Sequence, residues 1–197
     1  NGTPGHPPLL PACLASAILA HNDQGGLQGL LQSRSPQQVM ALPVWDRGIL
    51  LDADTPEDFT TLNHRLDRMA VGERDEALAL AGMVLPSKGL AHGMAVAGVA
   101  EKLALALNCR GNALDLDLLH NSALLHDIAK GQPQHEAAGA RMLACFGLSG
   151  LAEIVAAHRD APPPISESLS EKELVCLADK LVCGQHPVSI HERFREK

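Results

Sequence analysis

The sequence predicts an all-α fold carrying a small α/β appendage at its N-terminal end. Three observations predict it. Aromatic residues make up only 2% of the 197 residues, while Leu, Ala and Val dominate the apolar set; that composition suits helices in close contact better than a sandwich of sheets. From about Leu66 onward, apolar residues recur at helical spacing. The first sixty residues are instead rich in Gly and Pro and mix two periods.

In that first segment, Pro11–Ala20 and Gly26–Gln32 read as short helices. Residues 38–45 and 49–52 read as short strands on either side of a turn at Asp46–Gly48. Thr55-Pro56-Glu57-Asp58 reads as a helix start. Thr55 caps it, Pro56 takes the first helical position and the acids favour the positive end of the dipole.

Helices are then predicted near 73–84, 88–108, 115–126, 134–146, 148–158, 170–183 and 188–195. Ser87 and Ser170 suit N-caps, and Gly111, Gly131 and Gly147 suit helix ends. Pro162-Pro163-Pro164 calls for an extended loop. The expected division is residues 1–64 and residues 65–197.

The formal net charge of −7, with no basic tract, excludes an electrostatic footprint for nucleic acid. No apolar run is expected to reach membrane-spanning length, and no signal peptide is read. The five cysteines (Cys13, Cys109, Cys145, Cys176 and Cys183) form no CxxC pair. They are expected to be reduced thiols, mostly in the core, of a cytoplasmic protein.

Ionisable residues on apolar helix faces carry the chemical signal. His92 shares a stripe with Val96, Val99 and Leu103, and His126 with Leu119, Ser122 and Ala123. His135 goes with Ala138, Gly139 and Met142. His158 lies below Leu151, Ile154 and Val155, and Asp179 between Val175, Ala178 and Val182. Asp127 follows His126 directly. One buried histidine is usually a hydrogen-bonded core residue. Four histidines and a carboxylate from five helices, all facing inward, call for a shared counter-charge. Neutral imidazole with carboxylate suits Fe, Mn, Co, Ni or Zn better than Mg alone, as one or two divalent ions. His6, His21, His64, His120, His186 and His191 read as turn, cap or surface residues.

These residues also carry a family resemblance. The run from His92 to Ala100 resembles the first motif of the HD superfamily of metal-dependent phosphohydrolases. Leu124-Leu125-His126-Asp127-Ile128-Ala129-Lys130 resembles the signature that names it, and Leu177-Ala178-Asp179-Lys180 its last motif. The resemblance spans residues 66–197 and implies a helical bundle. It implies His92, His126, Asp127 and Asp179 as primary metal ligands, and His135 and His158 as the extra histidines of two-metal members, with Asp127 bridging. It implies hydrolysis of a nucleotide or other small phosphate ester by a metal-activated water, with Asp127 and Lys130 as catalytic residues. Lys130 would contact phosphate or else cap a helix C-terminus; Arg159 and Lys180 are weaker phosphate candidates. His135 and His158 are alternatively substrate or acid–base residues. No nucleic-acid or membrane partner is expected, and a homodimer is allowed.

A different reading is a regulatory HD module that binds metal or nucleotide without turnover and controls an attached transferase. The front segment motivates it. Gly5-His6-Pro7, Gly25-Gly26-Leu27 and the run Gly48 to Asp58 resemble the end of a MobA-like nucleotidyltransferase domain over about residues 1–62. The Gly-rich nucleotide loop of that family is absent. The resemblance implies a nucleotidyltransferase–HD fusion of which this chain is the C-terminal portion. Asp52 and Asp54 read as a turn rather than a metal site.

Overall fold

In the computed structural model, residues 3, 5–22, 24–160 and 169–195 are described. The chain divides into two compact units, residues 1–52 and 53–197.

The first unit holds α1 (Ala15–Leu19), entered through a 3-10 turn at Ala12–Leu14, and α2 (Gly26–Gln32). Both fall where the sequence places helices. The two predicted strands do not form. Val39, Met40 and Leu42 are exposed, and a 3-10 turn occupies Arg47–Leu50, where Asp46 accepts from the Gly48 N–H at 2.7 Å. The pattern fails because Pro43 removes a ladder donor and two isolated strands have no sheet to join. Among the described residues, the appendage is helical and irregular rather than α/β. Asp52 and Asp54 are exposed ahead of Thr55.

The second unit begins with α3 (Pro56–Asp67), where Thr55 is the expected cap and, with Asp58, closes a capping box. It continues through α4 (Arg74–Val84), α5 (Ser87–Asn108), α6 (Leu116–Leu125), α7 (His135–Cys145), α8 (Ser149–Ala157) and α9 (Glu171–Lys180) to α10 (Ile190–Phe194). The helix start at Thr55 falls where expected, and α4 to α10 each lie within a few residues of their predicted spans. Ser170 caps α9, its N–H donating to Glu173 at 2.8 Å. Ser87 is not a cap: Pro86 holds that place, and Ser87 is the first helical residue. Gly111, Gly131 and Gly147 all end helices or turns at positive φ. The triple proline lies outside the described residues.

One element has no counterpart in the sequence reading. The chain predicted helical through Cys183 stops at Lys180 and forms a hairpin, β1 (Val182–Cys183) and β2 (His186–Pro187).

The core of this unit runs along α5, α6, α8 and α9. Val96, Ala97, Ala100, Leu119, Ala123, Leu151, Val155, Val175 and Ala178 are fully buried there. Small residues permit close approach. A Cβ on Gly93 of α5 would lie 2.3 Å from the Leu124 carbonyl oxygen of α6. Contrary to expectation, α5, at 22 residues, is long and apolar enough to cross a membrane by length and composition. Here it packs against α6 and α9. The cysteines also depart from expectation: Cys176 is buried, but Cys13, Cys109, Cys145 and Cys183 are exposed.

Candidate metal centre

The structure brings five of the six predicted ligands into two overlapping groups that share His126, and sets His135 beside Asp127 at 3.4 Å, outside both groups. His92 comes from the second turn of α5. His126 is the C-cap of α6 and Asp127 begins the turn beyond it. His135 opens α7 behind Gln134, a non-glycine residue held at φ 49°; such backbone is costly and tends to persist at functional sites. His158 is the C-cap of α8, and Asp179 lies in the last turn of α9. The rings form a continuous row, with centroids 5.2 Å apart for His92–His126, 5.1 Å for His126–His158 and 5.5 Å for His158–His135.

The nitrogen roles are specific. His126 Nδ1 lies 2.7 Å from the Ala123 carbonyl and His158 Nδ1 lies 2.7 Å from that of Val155. His92 Nδ1 lies 2.6 Å from the carbonyl of Gly184. A carbonyl only accepts, so each Nδ1 donates its hydrogen to backbone, and Nε2 faces inward toward the carboxylates. Around these nitrogens stand the carboxylates. Asp179 Oδ1 is 3.1 Å from His92 Nε2 and 3.4 Å from His126 Nε2. Asp127 divides its oxygens: Oδ2 is 3.5 Å from His126 Nε2, while Oδ1 is 3.4 Å from His135 Nε2 and 4.0 Å from His158 Nε2.

Burial and charge oppose one another here. Burial disfavours a charged His126, but Asp127 and Asp179 outweigh it and raise its pKa to about 9. Burial likewise opposes the charge of both aspartates. His126 and Lys130 nevertheless hold Asp127 well below the usual carboxylate range, and His126 and His92 do the same for Asp179. Burial lowers the pKa of His158.

These donors fit a divalent cation. His126 Nε2 is a buried nitrogen without a hydrogen-bond partner, since 3.4–3.5 Å is too long for a good bond. His92, His126 and Asp179 form one group with ligand atoms within 4.8 Å of one another, and His126, Asp127 and His158 form a second. Imidazole tethered through its far nitrogen is the usual state of a ligand histidine.

Residues 89–182 match the family model of the HD domain. That HD match contains all six residues, from His92 to Asp179, and supports the HD superfamily for this part of the chain. Among curated proteins, the chain is similar to Uncharacterized protein MJ0778 of Methanocaldococcus jannaschii. The two are 28% identical over 141 residues, 63% of this chain and 83% of that protein. No solved structure matches. Nothing found supports the MobA-like reading of the first 62 residues.

Around the HD pair, Lys130 forms an ion pair with Asp127 Oδ2 while its side chain stays 64% exposed. Arg159 pairs with Glu136 at 3.2 Å. Lys180 donates to the Arg159 carbonyl at 3.0 Å and lies 2.8 Å from Cys176 Sγ. His120 faces Glu101 at 3.6 Å. Sequence reasoning missed Glu136, whose carboxylate is 3.5 Å from His135 Nδ1. It also missed the Gly184 carbonyl. Glu136 is adjacent to a candidate ligand and was within reach of the pattern; a backbone carbonyl leaves no residue-type signal.

Proposed function

We propose that the protein is a metal-dependent phosphohydrolase acting on a nucleotide or another small phosphate ester. The observation that carries the reading is the divided carboxylate of Asp127. One oxygen faces His126 and the other faces His135 and His158, the arrangement a bridge between two cations requires. In this reading His92, His126, Asp127 and Asp179 hold one ion, and Asp127, His135 and His158 hold a second. Bound ions would supply a water acidic enough to ionise near neutral pH and would offset charge developing on the phosphoryl oxygens.

The residues of the chain do the remaining work. Ala123 and Val155 fix the rings of His126 and His158 through their carbonyls. Lys130, paired with Asp127 and still largely exposed, offers an ammonium to a substrate phosphate. Glu136 and Arg159 close the neighbouring rim as an ion pair, so Arg159 is partly neutralised there. The reading places the enzyme in the cytoplasm, without a nucleic-acid or membrane partner. The end of a nucleotidyltransferase as the source of residues 1–62 rests on their residue pattern alone.

The test is a panel of nucleotides and simple phosphate esters assayed with Mn(II), Fe(II), Co(II), Ni(II), Zn(II) or Mg(II). Hydrolysis of at least one ester is expected, with Asp127→Asn reducing it at least about a hundredfold. Full metal loading without turnover of any ester would instead make the domain a regulatory module.

A further inference from the structure

Three of the inward-facing histidines are tethered through Nδ1, but not in the same way. His126 and His158 use carbonyls three residues earlier on their own helices. Such partners are supplied automatically where a helix ends. His92 instead reaches the carbonyl of Gly184, 92 positions away. That oxygen is delivered by the hairpin the sequence reading did not foresee.

The hairpin is built for a fixed position. Val182 pairs with Pro187 and Cys183 with His186, and the Val188 N–H closes the base on the Leu181 carbonyl at 2.8 Å. Both strands pack against α5, the helix that carries His92. The loop is two residues, Gly184 and Gln185. Gly184, at φ +63°, takes the first central position that such loops reserve for glycine. Asp179, whose Oδ1 is 3.1 Å from the other nitrogen of the same ring, lies five positions earlier. One short stretch therefore grips His92 at both nitrogens.

We propose that the Gly184 carbonyl is a positioning group of the metal centre, fixing the His92 ring and its tautomer so that the Nε2 lone pair is presented to an ion shared with His126 and Asp179. The inference rests on the metal-centre reading. Without the tether, the ring would be free to turn about χ2 and to carry its proton on either nitrogen. Loss of an outer partner of this kind typically weakens metal binding by about 10–100-fold.

Two substitutions in the full chain separate position from mere presence. Gly184→Pro locks φ near −65° and cannot hold the loop; Gly184→Asn tolerates positive φ and keeps the carbonyl in place. Zn(II) affinity by competition with a chromogenic chelator is expected to fall about tenfold or more in Gly184→Pro. It should stay within about threefold of wild type in Gly184→Asn. Equal affinity in wild type and Gly184→Pro would overturn the positioning role. Failure of wild type itself to bind Zn(II) would instead remove the metal centre. Long-range proton–nitrogen spectra of the Zn(II)-loaded wild type give an independent readout that does not require the proline variant to fold. They should show His92 protonated at Nδ1. A proton on Nε2 overturns the proposal.

Discussion

His126 and His158 differ in what surrounds them, and their titration should show it. Among the buried groups, His126 gains from folding in its charged form. It contributes stability to the metal-free protein that is complete below its ordinary pKa of 6.5 and lost as pH rises toward about 9. His158 and His120, lowered chiefly by burial, act in the opposite sense: their contribution is complete above 6.5 and declines below it. Asp127 and Asp179, both lowered, contribute fully above 3.8 and lose that contribution on further acidification. Chelator-treated protein is therefore expected to be most stable near pH 6.5. The urea midpoint measured from pH 5 to 9 should fall on both sides, and the alkaline fall should vanish in His126→Gln. A midpoint that stays flat between 6.5 and 9 would show that the carboxylates do not hold the His126 proton. At this scale the sequence was informative. Each of the six ligands sits on an apolar stripe or beside one, and burying several such groups together has few stable outcomes apart from a shared cation.

The elements that carry these residues were legible to different degrees, for physical reasons. Helices α3 to α9 announced themselves through apolar spacing and through caps such as Thr55 and Ser170. The strands expected at residues 38–45 and 49–52 were misread because Val39, Leu42 and Val44 look like a strand locally, whereas a strand exists only with a partner. The hairpin after Lys180 was invisible for the opposite reason. Val182 continues the apolar pattern of α9, and only Gly184 marks the turn. Helix approach was likewise silent until the backbones were placed. Gly93 sits beside His92, and a methyl group there would meet the Leu124 carbonyl at 2.3 Å. Gly93→Ala must therefore push α5 from α6 and move His92 from His126. The expected cost is at least about 2 kcal/mol of stability, together with weakened metal binding. Equilibrium urea unfolding measures the first and chelator competition the second. A variant indistinguishable from wild type in both would show that the contact between α5 and α6 is not needed in this form.

In the unit formed by residues 53–197, the candidate metal centre draws its residues from α5, α7 and α9 and from the C-terminal ends of α6 and α8. An ion there would add a cross-link between these helices to the packing and polar contacts that already join them, and a ligand that binds only the folded state stabilises it by mass action. At a hundredfold excess over Kd, the gain is about 2.7 kcal/mol, which corresponds to roughly 5–10 °C in Tm for a unit of this size. Scanning calorimetry with and without chelator should show that difference, and excess Mn(II) or Zn(II) should restore it. An unchanged Tm would mean that no ion bridges these helices.

The most direct test is the metal content of the protein, purified without chelator and reloaded with a single divalent metal, measured by elemental analysis beside His135→Ala. About two ions per chain in wild type and about one in the variant are expected, because in the proposed reading His135 would hold only a second ion, beside Asp127 and His158. A folded wild-type protein that retains no metal after reloading would contradict the metal centre. Equal content in both proteins would contradict the placement of His135 at a second ion.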